Sequence, residues 1–135
     1  MKVLIIDGQG GGLGRQLVTA VKEAHPDIEV LAVGTNSAAT NAMLRAGADQ
    51  AATGENSVAV ASRQADVIMG PIGIVIADSM LGEITPAMAV AVGQSQAKRI
   101  LIPVNLCDNI VVGVGETSMV KNVQNAVNAL EKLLG

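Results

Sequence analysis

Apolar positions along the chain come in two rhythms. Short, dense apolar runs (Val3-Leu4-Ile5-Ile6, Ile28 to Val33 broken only by Glu29, Val67-Ile68-Met69, Ile100 to Val104 broken only by Pro103) alternate with longer stretches whose apolar residues recur every three or four positions. The runs fit strands buried on both faces of a parallel sheet, and the spaced stretches fit amphipathic helices. A first helix is predicted from about Gly11 to Ala24, with Leu13, Leu17, Ala20, Val21 and Ala24 on one face. After the second strand, Thr35-Asn36-Ser37 offers a turn and an N-cap for a helix through Ala46, and Gly47 stops it. Ala48 to Ala52 is a short third strand, and Gly54-Glu55-Asn56-Ser57 opens a helix carrying Val58 and Ala61 inward. Asp66 to Met69 is the fourth strand.

From Gly70 to Gly82 the periodicity leaves two solutions open, a further strand or the approach to a short helix. Thr85-Pro86 is clearer: an N-cap followed by proline at the first helical position. The helix behind it, Ala87 to Val92, is apolar all round, which predicts enclosure, here shared with another subunit. Arg99 to Val104 reads as the fifth strand, closed by Pro103, and Ile110 to Val114 as a short sixth. The last helix starts near Thr117-Ser118 and ends near Leu134, with Val120, Val123, Val127, Leu130 and Leu134 inward and Lys121, Asn122, Asn128, Glu131 and Lys132 outward. Repeated strand–helix alternation with no linker or repeat predicts one domain over residues 1–135. Its class is α/β, a three-layer, doubly wound parallel sheet of Rossmann-like type with about five strands.

Half of the 135 residues are apolar, yet none is Phe, Tyr or Trp. The core must be Val, Ile, Leu, Ala and Met, and no aromatic platform exists for stacking bases. With a net charge of -3 and scattered Lys and Arg, no nucleic-acid partner is expected. The single cysteine, Cys107, excludes an internal disulfide and fits a small residue after a strand in a reducing compartment. His25, before Pro26, fits the capping of the first helix. Asp7 follows the first apolar run too soon for a signal peptide, and Val67 to Ala77 is too short to span a bilayer. A cytoplasmic protein without a membrane partner is expected.

One stretch exceeds what architecture needs. Between the first strand and first helix lies Asp7-Gly8-Gln9-Gly10-Gly11-Gly12-Leu13-Gly14-Arg15, with five glycines in seven positions. Each glycine costs about 0.5–1 kcal/mol of folding entropy relative to alanine. A turn needs one or two; the excess points to a ligand approaching the backbone, where N–H groups and the helix dipole favour an anion. In open parallel sheets ligands bind beyond the carboxyl ends of the strands. The candidate rim is therefore Asp7 to Gly14, Gly34-Thr35-Asn36, Thr53 to Asn56, Gly70-Pro71-Ile72-Gly73, and Asn105 with Asp108. Arg15, a cation in the first helical turn, fits either a nearby phosphate or a solvated surface. Asp7, Asp78 and Glu83 are the carboxylates nearest the rim; two or three of them converging could hold Mg²⁺, but turn and cap duties account for each separately, and no metal site is assigned.

Gly8, Gly12 and Gly14, spaced Gly-x-x-x-Gly-Leu-Gly, resemble the nucleotide-binding turn of short-chain dehydrogenases. That family's Tyr-x-x-x-Lys cannot occur in a chain without tyrosine, and Gly34-Thr35-Asn36 replaces the acid that holds an NAD ribose. The whole chain is more similar to a small bacterial domain family without an assigned function. The resemblance lies in Ile6 to Gly12, Ala32 to Ser37, Ala52 to Asn56, Gly70 to Gln94 and Ile102 to Asn105.

Three functions follow as expectations. The first is binding of a nucleotide, a dinucleotide or another phosphorylated small molecule by a small binding or regulatory domain. Its site would comprise Asp7, Gly8, Gln9, Gly10, Gly11, Gly12, Leu13, Gly14, Gly34, Thr35, Asn36, Gly70 and Pro71. The second is a transferase or hydrolase acting on a phosphate ester through Asp7, Asp78 or Glu83. The third is a structural protein without a ligand. Under any of them the Gly70 to Gln94 stretch predicts a homo-oligomer.

Overall fold

The apolar runs become the strands of one parallel sheet. The computed structural model of the chain describes residues 1–104 and 108–135. Strands β1 (Lys2–Asp7), β2 (Glu29–Gly34), β3 (Gln50–Thr53), β4 (Val67–Pro71) and β5 (Lys98–Ile102) pair in the order β3-β2-β1-β4-β5. Each strand is followed by a helix: α1 (Gly12–Ala24), α2 (Ser37–Arg45), α3 (Glu55–Gln64), α4 (Pro86–Gln94) and α5 (Met119–Leu134). Every strand pair is parallel, as expected of a Rossmann-like three-layer α/β fold.

Alternation within β1 builds both cores. Val3 and Ile5 face α1 and α5, together with Leu17, Val18, Val21, Val127 and Leu130. Leu4 and Ile6 face the other layer, together with Val58, Ile74, Met88 and Val92 of α3, the following turn and α4. Such period-2 exchange of faces is what burial on both sides of a sheet requires. Register then aligns the carboxyl ends: Asp7 lies opposite Gly34, and Gly34 opposite Thr53. The chain crosses from β3 back to β4, so strand order reverses between β1 and β4. Their carboxyl ends flank the fold's ligand crevice.

Two sequence readings change, and a third, open in the sequence, is decided. The stretch after β4, open between a further strand and the approach to a short helix, holds no further strand: β4 continues to Pro71, a short 3-10 helix covers Ile72–Val75, and turns lead on to α4. Ile110 to Val114 forms no strand, and Ile110, Val112 and Val114 are exposed. β-branched residues favour a pleat only where a neighbouring strand supports it, and β5 pairs with β4 alone. In α5 the inward stripe starts one residue earlier than expected. Met119 packs on the core, and Asn122, Val123, Ala126, Val127 and Leu130 are buried, leaving Val120 75% exposed. Asn122, expected outside, accepts a hydrogen bond from Thr117 Oγ1 instead. Within the single chain α4 buries only Met88 and Val92, and its outer side carries exposed Ala87 and Val90. Asn105 and Cys107 lie outside the described residues. Among the described residues no helix is long and apolar enough to cross a membrane.

Candidate functional site

The loop between β1 and α1 hangs on Asp7. This residue is 6% exposed, and each carboxylate oxygen accepts a backbone N–H: Oδ1 from Gly8 at 2.8 Å and Oδ2 from Gly14 at 2.7 Å. The N-cap of α1 is Gly11, which has no side chain to cap with, so Asp7 satisfies one first-turn N–H from the strand below. Burial raises the Asp7 pKa above the usual aspartate range; the two N–H donors oppose that shift, and the nearby Glu83 carboxylate adds to it.

The five glycines then divide by cause. Gly11 sits at φ +73°, and a Cβ there would lie 2.8 Å from the Ala39 backbone of α2. A Cβ on Gly14 would lie 2.6 Å from Met43 Sδ and 2.8 Å from Asp7 Cβ. At Gly8 it would meet Met80 Sδ and Thr35 Oγ1, each at 2.8 Å. Packing requires these three. Gly10 and Gly12 differ: neither has a positive φ, and a Cβ on either would meet nothing within 4 Å. Both are exposed at the amino end of α1. Among the described residues the N–H groups of Gly10, Gly12 and Leu13 have no protein acceptor. Leu13 itself is buried in the core, so its contribution to the rim is its backbone.

A carboxylate occupies the neighbouring corner. Glu83 Oε1 accepts three hydrogen bonds: Gln9 N–H at 2.8 Å, Thr35 Oγ1 at 2.6 Å and Asn36 Nδ2 at 2.8 Å. The hydroxyl of Thr35, followed by the Gln9 N–H and the Asn36 amide, holds the Glu83 pKa below the usual glutamate range against the opposing effect of burial. Gln9 takes φ +51° here, and its carbonyl accepts a second hydrogen bond from Asn36 Nδ2 at 2.9 Å. Asn36 also caps α2 through Oδ1, which accepts from Ala39 N–H. Thr35 and Asn36 thus do meet a charged acceptor at the end of β2, and that acceptor belongs to the chain.

The rest of the rim is more closed than its glycines suggest. Gly34 is buried, and a Cβ there would lie 2.5 Å from the Thr40 backbone nitrogen; Gly70 is buried against the Ile6 carbonyl, and Pro71 is buried beside it. Thr53 Oγ1 and Thr40 Oγ1 are 2.7 Å apart, tying β3 to α2. Glu55 accepts from Thr85 Oγ1 at 2.6 Å, joining the starts of α3 and α4. Asp78 shares a loop with Glu83 but is exposed, as is Asp108. Among the described residues no three metal-ligating side chains converge. Met80, which covers Gly8, has no signal in the sequence, because the contact spans more than seventy residues. A separate groove of about 380 Å³ lies between β5, residues 113–117 and α5, and among the described residues no charged side chain lines it.

Residues 2–135 match the model of a family described as Domain of unknown function (DUF3842). No curated protein matches the sequence. Among solved structures, the crystal structure of a dodecameric FMN-dependent UbiX-like decarboxylase from Escherichia coli O157:H7 is similar at 17% identity. The alignment covers 97% of this chain and 76% of that one, with a TM-score of 0.47.

Proposed function

The chain belongs to the DUF3842 family, and from that premise we propose that it binds a nucleotide or another phosphorylated small molecule at the amino end of α1, as a small binding or regulatory domain. One observation carries the reading: Gly10 and Gly12 are glycines that neither backbone conformation nor packing demands. A bare backbone is useful there if a ligand must come close, and the N–H groups of Gly10, Gly12 and Leu13 are what it would meet. Donors at the positive end of a thirteen-residue helix favour an anion. Asp7, Gly8, Gly11 and Gly14 hold the loop in shape, and Gln9, Thr35 and Asn36 form its polar flank.

A thermal-shift screen of nucleotides and sugar phosphates should yield at least one stabilising compound. Gly12→Val should abolish that shift while the unliganded protein keeps its fold, since a side chain at Gly12 meets open space. An unchanged shift would remove the site from the proposal.

Catalysis by Asp7, Asp78 or Glu83 has less support. The Asp7 and Glu83 oxygens that act in this loop already accept from the protein, and exposed Asp78 does not join them. We also propose assembly of copies through the Gly70 to Gln94 stretch, supported by exposed Leu81 and Val90.

A further inference from the structure

Among the described residues, the loop that carries Glu83 has the densest run of left-handed conformations. Between residues 76 and 84, Asp78, Met80 and Leu81 all adopt positive φ (65°, 56° and 56°), and Gly82 follows at 87°. Non-glycine residues rarely adopt this conformation. The loop is tied to itself by Asp78 N–H to the Ile84 carbonyl at 2.7 Å and Glu83 N–H to the Met80 carbonyl at 3.1 Å. Met80 and Ile84 are buried beneath it, whereas Leu81 at its tip is 97% exposed. What this conformation delivers is one carboxylate oxygen to a backbone N–H, a hydroxyl and a side-chain amide drawn from two other strand ends.

Those three donors are the kinds that take up a phosphate oxygen, and here they already hold an anion. An incoming phosphate on the Gly10, Gly12 and Leu13 N–H groups would face that carboxylate next door. Gln9, whose N–H Glu83 holds, directly precedes Gly10, so the two like charges would repel each other across one residue of backbone. We propose that Glu83 is an internal competitor: the 76–84 loop ties down the Gln9 end of the glycine loop with its own carboxylate, and an anionic ligand binds by displacing it. Binding and release of the loop are then one event. The Met80 thioether leaves Gly8 together with the carboxylate, and the left-handed turn keeps only its own hydrogen bonds. This inference rests on the anion site proposed above and adds the means by which that site is regulated.

Inorganic phosphate is the probe, titrated by NMR into wild type, Glu83→Gln and Glu83→Ala. Both variants should bind at least tenfold more tightly than wild type, with Glu83→Ala at least as tight as Glu83→Gln. Hydrogen exchange gives a second signature in wild type: phosphate should slow the amides of Gly10, Gly12 and Leu13 and speed those of Gln9 and residues 78–84. Phosphate that binds all three proteins equally, or protects the 78–84 amides, overturns the competitor and leaves the anion site standing. Phosphate that binds none of the three, all folded by circular dichroism, overturns the anion site and the competitor with it.

Discussion

Replacing Asp7 by asparagine keeps its shape but halves its capacity to accept. The amide oxygen can take one of the Gly8 and Gly14 N–H groups, and the amide nitrogen then faces the other donor. A buried N–H left without an acceptor costs about 1–3 kcal/mol, and urea unfolding of Asp7→Asn should show a loss of that size. Glu83 and Asp7 respond to pH in opposite directions. The Glu83 pKa is lowered, so the stability it adds is present above the ordinary glutamate range and is lost as pH falls through its folded value. The Asp7 pKa is raised, so its contribution is greatest in acid and is lost as pH rises through its folded value. Wild type should therefore exceed Glu83→Gln in stability at neutral pH, with the difference closing as pH falls below the ordinary glutamate range. A difference that widened in acid would contradict the hydrogen bonding of Glu83.

At the scale of elements, α5 gives the sharpest contrast. Leu130 is fully buried against the sheet, and Val120 is 75% exposed one residue out of phase with the inward stripe. Leu130→Ala should cost about 2–5 kcal/mol and Val120→Ala less than about 0.5, both read from denaturant midpoints. Val120, Val123, Val127 and Leu130 also fit a helical face when read alone, so the sequence offers two phases for this helix. The sheet selects the one that begins at Met119 and includes the polar Asn122. Where the deciding chemistry is local, the elements are legible from residues alone. Asn36 caps α2, Thr85 and Pro86 start α4, and the unbroken runs of β1 and β4 place them inside the sheet. The glycine loop is legible as a feature for the same reason. Which of its glycines are free is not, because the partners that constrain Gly8, Gly11 and Gly14 are Met80, Ala39 and Met43. Glu83 stands out by sequence only as one acid near a rim; that it fills the rim depends on donors 47 to 74 residues away. Ile110 to Val114 fails the other way, having strand composition and no strand beside it.

For the whole molecule the open question is how apolar surface is covered. Most of the hydrophobic half of the composition goes into the two cores, yet Leu81 and Val90 stand exposed around the start of α4, and Ile110 and Val112 along the segment before α5. A single exposed valine is ordinary, but a helix whose outer face is Ala87 and Val90 presents small side chains that let a second helix approach closely. A net charge of -3 on 135 residues opposes such contact only weakly. Two copies related by a two-fold axis could bury α4 against α4, each supplying the same patch to the other. Light scattering at micromolar concentration should then give a mass at least twice that of the 13.7 kDa chain. Val90→Lys should reduce it to one chain without lowering the unfolding midpoint of the monomer, because Val90 contributes to neither core. Ile110→Lys distinguishes the two patches. If it dissociates the assembly while Val90→Lys does not, the contact runs along residues 110–114 and the α4 face is a free surface. A wild-type protein already of 13.7 kDa would mean that neither patch holds copies together.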